Sequence, residues 1–271
     1  MGVAAARAPP PRRKRFGQHF LHDPAIIARI VRAIDPQRDD HLLEIGPGRG
    51  ALTAPLVAQR ALSLDAIEID RDLAARLRER FGPTPGFVLH ESDALEFDYV
   101  ALARERGGRL RIVGNLPYNI STPLLFRLLA AAAGIADLTV MLQREVAARL
   151  AAGPGEPGYG RLAVMLAPQA EVTWLFAVGP GAFQPPPKVW SAVVRIAMRV
   201  APAFPVSPNY AAVVAAAFAQ RRKTLRNALS QLLRREQISA CGVDPGARPE
   251  TLAPQAFNTL AQALDRARAG R

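Results

Sequence analysis

The sequence predicts an α/β protein: a Rossmann-like sheet of seven strands ending in an antiparallel pair, followed by a small all-α domain. Three observations carry this. Apolar runs bounded by turn residues alternate with helical patterns, a glycine-rich turn follows the first run, and past Pro202 no strand candidate remains.

The runs are Leu42–Ile45, Leu62–Ile69, Gly86–His90, Leu110–Val113, Leu138–Leu142, Val172–Val178 and Val189–Met198. Helical patterns separate the first five, which predicts parallel strands covered on both faces. The last two are joined through Gly179-Pro180-Gly181 without a helix, which predicts an antiparallel pair at an edge. Asp70 can cap a helix over Arg71–Phe81, where Ala74, Leu77 and Phe81 share a face. Thr122-Pro123 predicts a helix over Leu124–Ala133 with proline at its first position. Pro202, Pro205 and Pro208 read as a linker, after which Tyr210–Leu233 and Pro254–Ala269 read as helices. The expected division is a basic arm (1–16), a sheet domain (17–200) and a helical domain (201–271).

With 271 residues, 49% hydrophobic and 21% charged, the chain has enough apolar material to bury a core. Cys241 is the sole cysteine, so no intramolecular disulfide forms, no Cys/His array has zinc spacing, and a reducing, cytoplasmic setting fits. His22, His41 and His90 are scattered, and no metal is expected. The uncharged window Val200–Gln220 holds three prolines, so no membrane span is expected. The first residues carry Arg7, Arg12, Arg13, Lys14 and Arg15 without an acid, but no apolar stretch follows as in a secretory signal.

The net charge is +12, and it is concentrated. That arm supplies five cations; Arg221, Arg222, Lys223, Arg226, Arg234 and Arg235 supply six more, again without an acid. Clustered cations of this kind release counterions from a phosphate backbone, so a nucleic acid is the favoured partner. The competing reading is solvated helix faces in an arginine-rich composition, which accounts for arginine over lysine but not for the clustering.

The first strand leads into Glu44-Ile45-Gly46-Pro47-Gly48-Arg49-Gly50-Ala51, and the second ends in Ile67-Glu68-Ile69-Asp70. Glycines let a ligand approach the backbone there, and an acid ending the second strand can accept both ribose hydroxyls. Gly46, Gly48 and Ala51 also satisfy the dinucleotide fingerprint, so this element alone leaves NAD and S-adenosylmethionine open. No Walker A sequence is present. Asp93 follows the third strand and would face the same crevice, unless it merely caps a helix.

The fourth strand ends in Asn115-Leu116-Pro117-Tyr118. An adenine amino group is a poor nucleophile because its lone pair is delocalised into the ring. Acceptors on both of its hydrogens favour a pyramidal nitrogen. The Asn115 side-chain oxygen and the Leu116 carbonyl can be those acceptors, with Pro117 fixing the turn and Tyr118 stacking on the base. Met165 and Trp174 read as core, and Trp190 fits either core or site.

Together, Arg15-Phe16-Gly17-Gln18-His19-Phe20-Leu21, Glu44 to Gly48, Ile67 to Asp70, Asn115 to Ser121 and Phe183-Gln184-Pro185-Pro186-Pro187-Lys188-Val189-Trp190-Ser191 resemble the ribosomal RNA adenine dimethyltransferases, the small-subunit branch most closely. The likeness extends to Gln220–Arg226 and Arg248–Leu252 in the helical end. It implies a class I methyltransferase fold and methyl transfer from S-adenosylmethionine to N6 of two adjacent adenosines near the 3′ end of 16S rRNA, within an immature small subunit, by a monomer. It also implies that His19 and Leu21 border the methionine part of the cofactor, Gly46 and Gly48 its chain, Glu68 its ribose and Asp93 its adenine, with Asn115 serving cofactor and target. Tyr118 and Phe183 would cover the two faces of the flipped base, and Arg12, Arg13, Lys14, Arg15, Arg221, Arg222, Lys223 and Arg226 would bind RNA. His19 stands where relatives often have Asn, which leaves side chain or backbone as the contact. Two other functions compete: an assembly or transcription factor on the same scaffold, and a 23S rRNA adenine methyltransferase.

Overall fold

The computed structural model describes residues 19–59, 61–220 and 222–269. In order the elements are β1 (Phe20–Leu21), α1 (Pro24–Ile34), β2 (His41–Ile45), α2 (Thr53–Ala58), β3 (Ser63–Glu68), α3 (Arg71–Phe81), β4 (Phe87–Glu91), α4 (Tyr99–Arg106), β5 (Leu110–Asn115), α5 (Ser121–Ala130) and β6 (Ile135–Gln143). They continue as α6 (Arg144–Ala151), α7 (Arg161–Leu166), β7 (Ala170–Val178), β8 (Phe183–Gln184), β9 (Ser191–Met198), α8 (Tyr210–Phe218), α9 (Leu225–Ala228), α10 (Arg235–Ala240) and α11 (Pro254–Ala269).

All seven expected strands join one sheet in the order β4-β3-β2-β5-β6-β9-β7, a Rossmann-like class I methyltransferase arrangement. The first five pair in parallel, and β9 runs antiparallel between β6 and β7. From β2 the chain winds outward to β4, then returns to β5 on the other side of β2. Loops leaving the carboxyl ends of β2 and β5 therefore diverge, and a crevice opens between them. Alternation along β2 sends Leu43 and Ile45 into one core cluster and Leu42 into the other, so helices cover both faces.

Asp70 caps α3 as its sequence predicts, accepting from the N–H groups of Asp72 and Leu73. Three expectations change. The helix expected from Leu124 begins at Ser121, placing Pro123 at the third position, where its missing N–H still costs no intrahelical bond. Tyr210–Leu233 is not one helix. Leu225 and Arg226 donate their N–H groups to the carbonyls of Ala247 and Pro245, and the break folds Leu225, Leu229 and Leu233 onto the same core as Val213 and Ala217. Tertiary packing overrides local propensity there. Trp174 is partly exposed on the edge strand β7, at a register shift, rather than buried. The two-residue pair β1–β8, too short to leave a periodic signal, ties Phe20–Leu21 to Phe183–Gln184 above the crevice.

The core of the helical end includes Tyr159, Ala163 and Val164, all before residue 201. Tyr159 donates its hydroxyl to the Leu252 carbonyl (2.8 Å), and Tyr210 donates to that of Val164 (2.8 Å).

Candidate active site

A cavity of about 230 Å³ fills the crevice, walled by β1, the turn after β2 and the segments that follow β3, β4 and β5. Gly46 and Gly48 adopt φ of 68° and 58°, the left-handed region that favours glycine. A Cβ on Gly48 would also lie 3.1 Å from the Phe20 ring, which closes the turn from above and carries the Arg49 guanidinium 4.3 Å from its centroid.

Glu68 is buried, and its two oxygens accept from the N–H groups of Gly48 (3.0 Å) and Asp70 (3.0 Å). It thus braces the glycine turn while keeping lone pairs for a ligand. Burial raises its pKa, and those N–H donors oppose the rise. Asp93 accepts from Leu95 N–H through one oxygen (2.8 Å), closing a turn rather than capping the helix that the sequence allowed as the alternative, and it lines the cavity. Deeper lies Glu44, fully enclosed, held by the Thr53 hydroxyl (2.6 Å) and pushed up to about 7, mainly by burial. Ile69 is 46% exposed beside these acids, an apolar wall for a flat ring.

Glu44, Glu68 and Asp93 make the cavity wall acidic, with Arg49 the one Lys or Arg lining it among the described residues. A pyrophosphate would meet repulsion here. A ligand with an ammonium and a sulfonium meets attraction, and the space over Gly46, where a Cβ would have only the Asn115 carbonyl within 4 Å, accepts a ligand chain against the backbone.

At the other wall, a Cβ on Gly114 would lie 2.4 Å from the Ile45 carbonyl, so β5 approaches β2 closely and delivers Asn115 beside the glycine turn. Asn115 Nδ2 donates to the His19 carbonyl (3.1 Å), while its Oδ1 is buried without a partner among the described residues. The contact made by His19 here is therefore its backbone; its imidazole Nδ1 donates to the Pro185 carbonyl (2.8 Å). Leu116 is buried and anchored through its N–H to the Met141 carbonyl (3.1 Å). The Tyr118 hydroxyl bonds Ser191 Oγ (2.6 Å), and the His19 ring lies 5.8 Å from the Tyr118 ring. Burial raises the Tyr118 pKa despite Ser191.

The structure therefore brings His19, Leu21, Gly46, Gly48, Glu68, Asp93 and Asn115 to Tyr118 around one cavity. It does not bring Phe183. That ring is 1% exposed, packed in the core cluster with Leu21, Ile30 and Val193, and is not part of the cavity lining among the described residues. Arg222, Lys223 and Arg226 are exposed and form no ion pair with a described carboxylate, but Arg222 and Lys223 sit in the break between α8 and α9 rather than on a helix. Arg12, Arg13, Lys14, Arg15 and Arg221 lie outside the described residues.

Sequence reading gave no role to Ser191, Phe20, Ile69 or Glu44. Ile69, apolar between two acids, was detectable in principle; Ser191 reaches Tyr118 across 73 residues and left no local signal. Among the described residues no group of three or more His, Cys, Asp or Glu could hold a metal ion; His90 meets the buried Asp65, whose carboxylate Arg106 also binds.

The family model described as ribosomal RNA adenine dimethylase matches residues 11–266. The ribosomal RNA small subunit methyltransferase A of Pseudomonas aeruginosa is 54% identical over 254 residues, covering 93% of this chain and 94% of that protein. The protein of the same name from Nitrosococcus oceani is 53% identical, covering 92% and 94%. Among solved structures, a dimethyladenosine transferase from Plasmodium falciparum superposes with a TM-score of 0.74 at 23% identity, covering 92% and 98%. The 23S rRNA methyltransferase ErmE gives 0.71 at 29% identity, covering 91% and 99%.

Proposed function

The chain belongs to the ribosomal RNA adenine dimethylase family, and from this we propose that it dimethylates N6 of two adjacent adenosines near the 3′ end of 16S rRNA as the small subunit matures. It is an S-adenosylmethionine-dependent rRNA adenine dimethyltransferase. The small-subunit relatives are more than 50% identical and ErmE is 29% identical, which favours 16S over 23S rRNA.

One observation carries the chemistry: Asn115 Oδ1 is a buried acceptor without a partner among the described residues, beside an aromatic ring, in the lining of an acidic cavity. Bound S-adenosylmethionine supplies an electrophilic methyl group on a sulfonium sulfur. Glu68 would hold its ribose, Asp93 its adenine amine, the Gly46–Gly48 turn its chain, and Leu21 and the His19 backbone its methionine end. Tyr118 would take one face of the target adenine, with Pro117 fixing the turn. Asn115 Oδ1 and the Leu116 carbonyl would accept the two N6 hydrogens, localising the nitrogen lone pair for attack, and the surplus proton then leaves to water. No strong base is required, because the nitrogen sheds its proton readily once methylated.

The helical end, residues 201–271, would grip the RNA through Arg222, Lys223 and Arg226, assisted by Arg221 and by Arg12 to Arg15 in the arm, with the enzyme a cytoplasmic monomer on an immature particle. Reversing Arg222, Lys223 and Arg226 should weaken binding and lower the salt slope by roughly one unit per lost phosphate contact. An unchanged slope would remove this turn from the interface.

The decisive experiment incubates the protein with labelled S-adenosylmethionine and small-subunit particles lacking the modification, then digests the RNA for nucleoside mass spectrometry. Dimethyladenosine in 16S rRNA is expected. Label in 23S rRNA instead would move the chain to the ErmE-like activity, and no label would make it a binding factor.

A further inference from the structure

The carboxyl edge of the sheet continues past Tyr118 onto β9, where it carries an aromatic that methyl transfer does not use. Trp190 is 51% exposed and Val189 45% exposed, immediately before Ser191, the partner of the Tyr118 hydroxyl. Trp190 is not a loose side chain. Its carbonyl accepts from Arg144 N–H (2.9 Å), and its ring lies so close to Gly179 that a Cβ there would be 3.6 Å from it. Between the indole and the first turn of α6 runs a shallow groove, with Arg144, Glu145 and Ala148 on its other side. Arg144 is exposed and pairs with no described carboxylate, whereas Glu145 is bonded by Arg149. The groove therefore offers one aromatic face and one available cation.

We infer that this groove is a second nucleobase subsite, holding the unpaired nucleotide next to the target adenosine with its base on the Trp190 indole and its phosphate at Arg144. The inference rests on the reading that Tyr118 holds the target. Register sets the spacing: Asn115 pairs with Met141 on β6, and Gln143 at the end of β6 pairs with Ser191. The subsite is thus two strands across and about three residues further along than Asn115, roughly 14 Å away by strand spacing and rise. Single-stranded RNA is held by stacking on aromatic faces combined with cations on the backbone, and every base has a face to offer. The subsite would grip and space the strand without reading its sequence.

Trp174→Phe leaves Trp190 as the sole indole. Its emission is followed while protein-free, unmethylated 16S rRNA is added. In parallel, Trp190→Ala and Trp190→Phe are assayed for methyl transfer to unmethylated small-subunit particles. Expected are quenching on RNA binding, an approximately tenfold rise in KM for particles in Trp190→Ala with kcat and the cofactor KM unchanged, and near-complete recovery in Trp190→Phe. RNA binding without quenching, or a wild-type particle KM in Trp190→Ala, overturns the subsite. So does a Trp190→Ala chain with full affinity for naked RNA and a defect only on particles, which would assign the indole to a ribosomal protein. Quenching needs no turnover, so a Trp174→Phe chain that quenches while the wild-type chain makes no dimethyladenosine fails the proposed function and not this one.

Discussion

The two halves of the crevice are built on opposite plans. On the cofactor side every acid has a partner: Glu68 takes two backbone N–H groups, Asp93 takes one and Glu44 takes the Thr53 hydroxyl. On the target side Asn115 Oδ1 has none among the described residues. The first plan suits a ligand held in one pose, since a satisfied acid needs no rearrangement to receive it. The second suits chemistry. A buried acceptor without a partner costs stability, and it is retained where its partner is the reacting group.

The strongest attack on that contrast is Asn115→Ala. If the empty oxygen acts on the amine during attack, kcat on unmethylated particles should fall about 10²- to 10³-fold, the scale seen when one preorganised hydrogen-bonding group is removed. Cofactor affinity, measured by titration calorimetry, should change far less. A variant with near-normal kcat and much weaker cofactor binding would move Asn115 to the other half.

Glu44 tests whether the cofactor side is as comfortable as its hydrogen bonds suggest. Its carboxyl titrates near 7 in the folded protein against 4.5 ordinarily. The folded form therefore holds the proton longer, so the stability that Glu44 contributes is fully present below 4.5 and is lost as pH rises to about 7. Glu44→Gln removes that decline. Relative to their difference at pH 4.5, the variant should gain about 3 kcal/mol over the wild type by pH 8, read from denaturant unfolding without cofactor. Parallel profiles would mean that Glu44 ionises freely and carries no strain.

Glu68→Ala should weaken cofactor binding about tenfold to a hundredfold, the range for charge-assisted bonds, with kcat at saturating cofactor nearly kept. A proportionate loss of kcat would show that the glycine turn, deprived of its brace, disturbs Asn115 as well.

The same contrast governs how much the sequence disclosed. The cofactor side is made of contiguous stretches, so the glycine turn, Glu68 and Asp93 were legible from spacing, as were the seven strands from their apolar runs. The target side is assembled from distant segments: the His19 carbonyl, Asn115 to Tyr118, Pro185 and Ser191. Only Asn115 to Tyr118, being contiguous, could be read locally. Phe183 shows the limit of motif reasoning, because an aromatic in a motif can serve the reaction or the core, and this ring is packed into the core with Leu21 and Val193. The broken helix after Phe218 was equally hidden, since its cause is two carbonyls some twenty residues downstream.

The hydroxyl pair of Tyr118 and Ser191 is the finest point on which the two plans differ, for here the target side does satisfy a polar group, and does so to fix a ring. Ser191 is fully buried, so deleting the Tyr118 hydroxyl strands that of Ser191, whereas the half-buried Tyr118 faces the cavity. Ser191→Ala and Tyr118→Phe should each lower kcat/KM for particles about fivefold, corresponding to a net bond of about 1 kcal/mol, while the stacking face remains. The double variant should be no worse than either single one, because both remove the same bond. Losses that multiply would mean that the hydroxyls act separately, the phenol on substrate and the serine on the strand. Because the Tyr118 pKa lies above its ordinary value, the phenol stays protonated through pH 9, and the coupling should be constant from pH 7 to 9. A coupling that fades across that range would show the phenol ionising, and with it a role in proton movement that positioning alone does not predict.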